Sequence, residues 1–130
     1  LEDLPTSISR KFSFDYLIKL IYFMHDAEVP LLKFSIRPGF AQASEDHVKT
    51  ILPLSSITML YGENSCFALD QRKVKNCRLS YFGSNNDKRS IIEIFDRNQN
   101  IVSVFLCGTS CNEAKQDLWE QFVRKFPLYH

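Results

Sequence analysis

An α+β fold, a meandering antiparallel β-sheet with an N-terminal helix and a C-terminal amphipathic helix packed on it, is predicted by three observations. Apolar residues recur at three- and four-residue steps at Phe14, Leu17, Ile18, Ile21 and Met24, the spacing of one helix face. From Phe40 to Leu106 the apolar period falls to two, and short breaks rich in Gly, Asn, Asp and Ser separate the runs. From Asn112 to Phe126 the helical period returns, with Leu118, Trp119, Phe122, Val123 and Phe126 on one stripe and Lys115, Gln116, Glu120 and Arg124 elsewhere.

The first helix is expected over 14–25, with Ser13 as its N-cap and Asp15 favouring the positive end of the helix dipole. It should stop before Pro30. A short strand follows over 31–36, and Arg37-Pro38-Gly39-Phe40 reads as a turn. Further strands are predicted over 41–43, 47–52, 57–61, 66–69, 74–82, 90–95 and 101–106, divided by Ser44-Glu45-Asp46, Pro53, Gly62-Glu63-Asn64-Ser65, Gly83-Ser84-Asn85-Asn86-Asp87 and a hairpin at Asp96 to Asn100. Connections this short favour antiparallel neighbours, because a parallel crossover consumes a dozen or more residues. The last helix should lie across the sheet with Trp119, the only tryptophan, as its anchor in the core.

A chain of 130 residues is the size of one domain, and 1–130 is read as such, with 1–13 irregular. Sixteen basic and fifteen acidic side chains, well interspersed, give a net charge of +1. No broad field therefore advertises a nucleic-acid or anionic-membrane partner. No apolar run approaches the roughly 20 residues that span a bilayer. Leu1-Glu2-Asp3 is acidic where a signal peptide is basic, and the missing initiator methionine is what a piece of a longer chain would show.

Cys66, Cys77, Cys107 and Cys111 lack the two close pairs of a structural zinc site; only Cys107 and Cys111 approach that spacing. They are read as buried free thiols of a reducing compartment, with a disulfide left open. No Gly-x-Ser-x-Gly elbow, phosphate-cradling glycine loop or His-Glu-x-x-His helix is present, so no self-sufficient catalytic motif points to an enzyme.

The stretch from His25 to Leu52, "HDAEVPLLKFSIRPGFAQASEDHVKTIL", followed by "FALDQRKVKNCRL", by "IIEIFDRNQNIVSVFL" and by a tryptophan-bearing terminal helix, resembles the C-terminal half of the HemS/ChuS heme-utilisation family. The resemblance covers roughly residues 14–126. It implies two-half bacterial cytoplasmic proteins, each half a large antiparallel sheet with flanking helices, some of them heme carriers and others heme-degrading; the related ChuX/HutX proteins resemble a single half. Its strongest points are Pro38-Gly39, Val48, Lys49, Phe67, Leu69 and Glu93-x-Phe95-Asp96, all of them architectural. The chain departs from the family at three places. Phe67-Ala68-Leu69-Asp70-Gln71 stands where the family shows Phe-Asn-Leu-His-Leu, Tyr81-Phe82-Gly83 stands for Arg-Lys-Pro, and Cys107-Gly108-Thr109 stands for Gly-x-Arg.

What the resemblance implies is a heme-binding or heme-carrying protein of the cytoplasm, with heme as cofactor and partner and heme degradation as an extension. Heme needs an axial donor, an apolar slot and cations for two propionates. His47, placed at the start of a strand, is the candidate iron ligand; its other reading is a turn histidine. His25, closing the first helix, is a further candidate heme-binding residue; its other reading is a helix cap, where a protonated imidazole meets the negative dipole end. Tyr81 and Tyr61 end strands and could donate a phenolate, while Arg78, Arg37 and Lys88 could pair with a propionate. The rival reading is a non-catalytic protein-interaction or dimerisation module on the same fold. Exposure of Phe40, Tyr61, Phe82 or Tyr129 would favour it, most of all if they cluster in one apolar patch.

Overall fold

The structure is a computed structural model that describes residues 9–83 and 88–129. The chain runs β1 (Arg10–Phe12), α1 (Phe14–Asp26), β2 (Leu31–Arg37), β3 (Phe40–Asp46), β4 (Thr50–Leu54), β5 (Ile57–Tyr61) and β6 (Cys66–Asp70), then a 3₁₀ turn (Gln71–Lys73), β7 (Val74–Phe82), β8 (Arg89–Asp96), β9 (Ile101–Cys107) and α2 (Glu113–Val123). The expected irregular residues 1–8, the turn residues 84–87 and His130 lie outside the described residues.

The α+β architecture is as expected, and every strand pairing is antiparallel. The strands divide between two sheets rather than forming one continuous meander. The larger has the order β1-β7-β8-β9-β2-β3, and the smaller is β4-β5-β6. The break comes at 47–49, where a strand was expected to open. Val48 turns into the core there at 7% exposure, and the next strand begins only at Thr50. Pro53, expected to end that strand, lies within β4, which is an edge strand where a missing N–H is tolerated. Residues 10–12, expected to be irregular, form an edge strand that pairs with β7 and exchanges two backbone hydrogen bonds with Tyr129.

Helix α1 starts at Ser13, whose hydroxyl accepts the Asp15 N–H, and buries Leu17, Leu20, Ile21 and Met24. It ends at Ala27, and Glu28 adopts a left-handed conformation (φ 54°) ahead of Pro30. Pro38-Gly39 joins β2 to β3 in a two-residue loop whose glycine takes φ 88°, the conformation for which the position needs glycine. At the β8–β9 hairpin Asp96 Oδ1 accepts the N–H groups of Asn98 and Asn100, both at 2.9 Å. Register shifts bend the pairing close by, between Val74 and Asn76 on β7 and between Ile94 and Phe95 on β8.

Side-chain alternation gives the large sheet two unlike faces. Cys77, Leu79, Ile92, Ile94, Phe105 and Leu31 point to one side and merge with α1, α2 and the small sheet in a single buried cluster. Phe67 of β6 meets Phe105 of β9 edge-on at 5.7 Å, which ties the two sheets together. On the other side, Leu32, Phe34, Ile36, Ile91, Phe95, Val104 and Leu106 are half-buried, and no described element lies over them. Helix α2 buries Trp119 and Val123, and Phe122 stacks on Phe23 of α1 at 4.2 Å. Leu118, expected on the same stripe, is 38% exposed, since it lies one residue round the helix from Trp119.

Trp119 is fully buried, and its Nε1–H donates to the Ser90 carbonyl at 3.1 Å. Replacing it with alanine removes the packing and leaves that carbonyl without its indole donor. Trp119→Ala is expected to cost about 3–5 kcal/mol, read as a lowered denaturant midpoint; a midpoint close to wild type would show that α2 does not anchor the fold.

Candidate ligand site on the open sheet face

The open face of β7 and β8 carries a cleft of ≈ 480 Å³. Strand parity builds it: Asn76, Arg78, Ser80 and Phe82 of β7 face the same way as Ile91, Glu93 and Phe95 of β8. Phe82, Ile91 and Phe95 make apolar walls. The Arg78 guanidinium sits 5.8 Å from the Phe95 ring centroid. Glu93 is the cross-strand neighbour of Arg78, yet its carboxylate accepts the Ser80 hydroxyl at 2.5 Å. Among the described residues Arg78 has no ion-pair partner, so its fork of donors is available to a ligand.

The sequence candidates do not converge on this cleft as a set. Tyr81 borders it, but three residues along a strand is an odd step, so the Tyr81 ring turns to the helix side, where the Arg124 guanidinium lies 5.0 Å from its centroid. His47, expected at the start of a strand, is exposed in the loop between β3 and β4, and its backbone N–H donates to the Asp46 carboxylate. His25 sits in the last turn of α1 with Nδ1 2.9 Å from Asp26 Oδ1, the helix-end position expected of it. Arg37 ends β2 and lines other clefts, with Nη1 3.5 Å from the Ile36 carbonyl. Lys88 borders a polar cleft beside α2. Among the described residues, no group of three or more His, Cys, Asp or Glu could hold a metal ion. The sequence reading missed Ile91, Glu93 and Phe95 as lining residues, although laying the β7 and β8 parities side by side would have found them.

This arrangement of sheet and helices recurs in solved structures. PhuS, a heme-binding protein from Pseudomonas aeruginosa, superimposes with a TM-score of 0.82 at 14% identity, over 93% of this chain and 35% of its own. The fold is HemS/ChuS-like. ChuS, an E. coli heme oxygenase, gives a TM-score of 0.78 at 12% identity, over 95% of this chain and 37% of its own. For ChuX the values are 0.65 and 8%, over 89% and 78%. The chain thus spans about a third of the length of PhuS and ChuS. Identities this low carry the fold and nothing finer. No protein-family model matches the sequence, and neither does any curated protein. Among the described residues, no helix is long and apolar enough to cross a membrane.

On this HemS/ChuS-like frame the three departures have visible occupants. Asp70, standing for a histidine, caps the 3₁₀ turn through the Arg72 N–H and receives the Arg72 guanidinium on both oxygens, at 3.1 and 2.9 Å. Those hydrogen bonds hold its carboxyl below the usual range. Tyr81-Phe82, standing for Arg-Lys, places an aromatic edge at the cleft. At the third place Cys107 and Cys111, expected as free thiols, are joined as a disulfide across the loop after β9. Cys77 is a buried thiol as expected, its pKa pushed up to about 12 by burial, whereas Cys66 is exposed.

The loop after β9 already holds an anion, and it is the chain's own. Glu45 of β3 accepts the N–H groups of Thr109 and Ser110, at 2.9 and 3.0 Å, and both of their hydroxyls, at 2.7 and 2.5 Å. Burial pushes the Glu45 carboxyl up, but the hydrogen bonds from Ser110 and Thr109 together outweigh it and hold the group at about 2, below its ordinary 4.5. A depressed carboxyl contributes stability above its unfolded pKa and loses it as pH falls through the folded value. The acid limb of the stability curve between about 4.5 and about 2 should therefore flatten in Glu45→Gln. A limb as steep as wild type would exclude Glu45 as its source.

Proposed function

We propose that this chain is a single HemS/ChuS-half-like domain that binds or carries heme without degrading it, in a bacterial cytoplasm. The observation that supports this reading most directly is the cleft on the open sheet face, set in a fold whose neighbours include proteins named for heme binding. Its size lies within the ≈ 300–1,000 Å³ of small-molecule and cofactor sites. Phe82, Ile91 and Phe95 offer apolar surface to a flat macrocycle, and Arg78 offers two parallel hydrogen bonds to a propionate. Iron supplies coordination chemistry when heme is bound, but among the described residues no histidine lines the cleft and the Tyr81 ring is turned from it. Holding therefore rests on apolar contact and propionate pairing. With no axial ligand among the described residues that line it, the cleft suits transfer rather than oxygen activation.

Titration with heme should give a saturable change in the Soret band at stoichiometric heme, and Arg78→Gln should weaken binding by about tenfold, the worth of one charge-assisted contact. His47→Ala should leave the affinity unchanged. The absence of any saturable spectral change would sink the heme reading, and loss of binding in His47→Ala would move the site away from this cleft.

A second reading is favoured by the same open face. Leu32, Phe34, Ile36, Val104 and Leu106 continue the apolar surface across β9 and β2, and the neighbouring Arg78 and Glu93 offer opposite charges to a two-fold-related copy. Phe40, Tyr61, Phe82 and Tyr129 are all exposed, as this reading expects. If a second copy covers this face, light scattering behind size exclusion will give a dimer mass that Phe34→Glu reduces to the monomer. A monomer for wild type at all concentrations removes this reading.

A further inference from the structure

Another cleft, of ≈ 350 Å³, opens at the seam between the two sheets, on the side of the large sheet opposite the proposed heme cleft. Its apolar walls come from Phe67 and Leu69 of β6, Val74 of β7, and Ile94 and Val102. Two cations, Arg37 and Lys73, and two carboxylates, Asp70 and Asp96, complete it. The carboxylates are engaged by the chain itself. Asp70 is held by the Arg72 guanidinium and N–H, and Asp96 by the N–H groups of Asn98 and Asn100. The cations are engaged less. Arg37 has only the 3.5 Å contact to the Ile36 carbonyl, and among the described residues Lys73 has no hydrogen bond or ion pair and acts on Asp70 through its charge alone.

A second observation concerns the same seam. Lys33 of β2 is only 7% exposed, and among the described residues it makes no hydrogen bond or ion pair. Its ammonium rests 5.1 Å from the centroid of Phe67, the ring that walls the cleft. Burial pushes the Lys33 pKa down, against the opposing pull of Asp46. Lys33 thus adds a third cation behind the Phe67 ring that walls the cleft, whereas the two carboxylates of the cleft are already engaged by the chain itself.

We propose that the inter-sheet cleft binds a small amphipathic carboxylate, with its head between Arg37 and Lys73 and its apolar body against Phe67, Val74 and Val102. Arg37 thereby serves this cleft and not the heme cleft, so the two sites can be tested apart. Octanoate titrated into isotope-labelled protein should move the amide resonances of Ser35, Phe67, Val74 and Ser103 saturably. The Arg37→Gln/Lys73→Gln double variant should weaken that binding by about tenfold, while Arg78→Gln leaves it unchanged. Octylamine, of the same length and opposite charge, should produce no saturable shift. Any of four results overturns the proposal: no saturable shifts with octanoate, equal binding of octylamine, undiminished binding in the double variant, or shifts centred on Ile91 and Phe95.

Discussion

The pairing of β2 with β9 governs the rest of the molecule. Leu31 to Ser35 lie in register with Cys107 to Ser103, so an early strand closes onto the last one rather than beginning a simple meander. With β2 in that place, β3 becomes the outer edge of the large sheet, and the chain must leave it to form β4, β5 and β6 as a separate layer. Three local consequences follow. Glu45 on β3 is carried to the loop that β9 feeds; Arg37 at the end of β2 is carried toward the β8–β9 hairpin; and the seam between the layers opens where Phe67 meets Phe105.

Local pattern made the elements legible, and long-range pairing was what it could not supply. The Phe14 to Met24 stripe, the Pro38-Gly39 turn, the Asp96 hairpin and the Trp119 helix are all short-range signals, and each has its counterpart in the structure. The strand expected to open at His47 failed because Val48 gained more from the core than from a ladder position. Leu118 failed because a stripe read from spacing is wider than the face a helix actually buries. The split into two sheets depends on which strands meet, and alternation alone is silent on that.

The same distinction divides the candidate site. Arg78 was read as a candidate propionate partner, Phe95 as architecture and Phe82 as a surface aromatic of the rival reading, yet parity brings the three to one surface. Parity also separates Arg78 from Tyr81, a pair the linear sequence makes look adjacent. His25 and His47 were chosen for their chemistry, and neither lines this cleft: His25 sits beside Asp26 at the end of α1, and the His47 backbone N–H donates to the Asp46 carboxylate. Residue type suggested which ligands are conceivable, whereas strand geometry decided which side chains can share one.

The loop after β9 is restrained twice, covalently between Cys107 and Cys111 and through four hydrogen bonds to Glu45. These restraints answer to different variables, one to redox poise and the other to proton activity. Where thiols are kept reduced the carboxylate still secures the loop, and where acid protonates Glu45 the sulfur bridge still does. The junction between sheet and final helix is thereby redundant, because neither change alone removes both restraints.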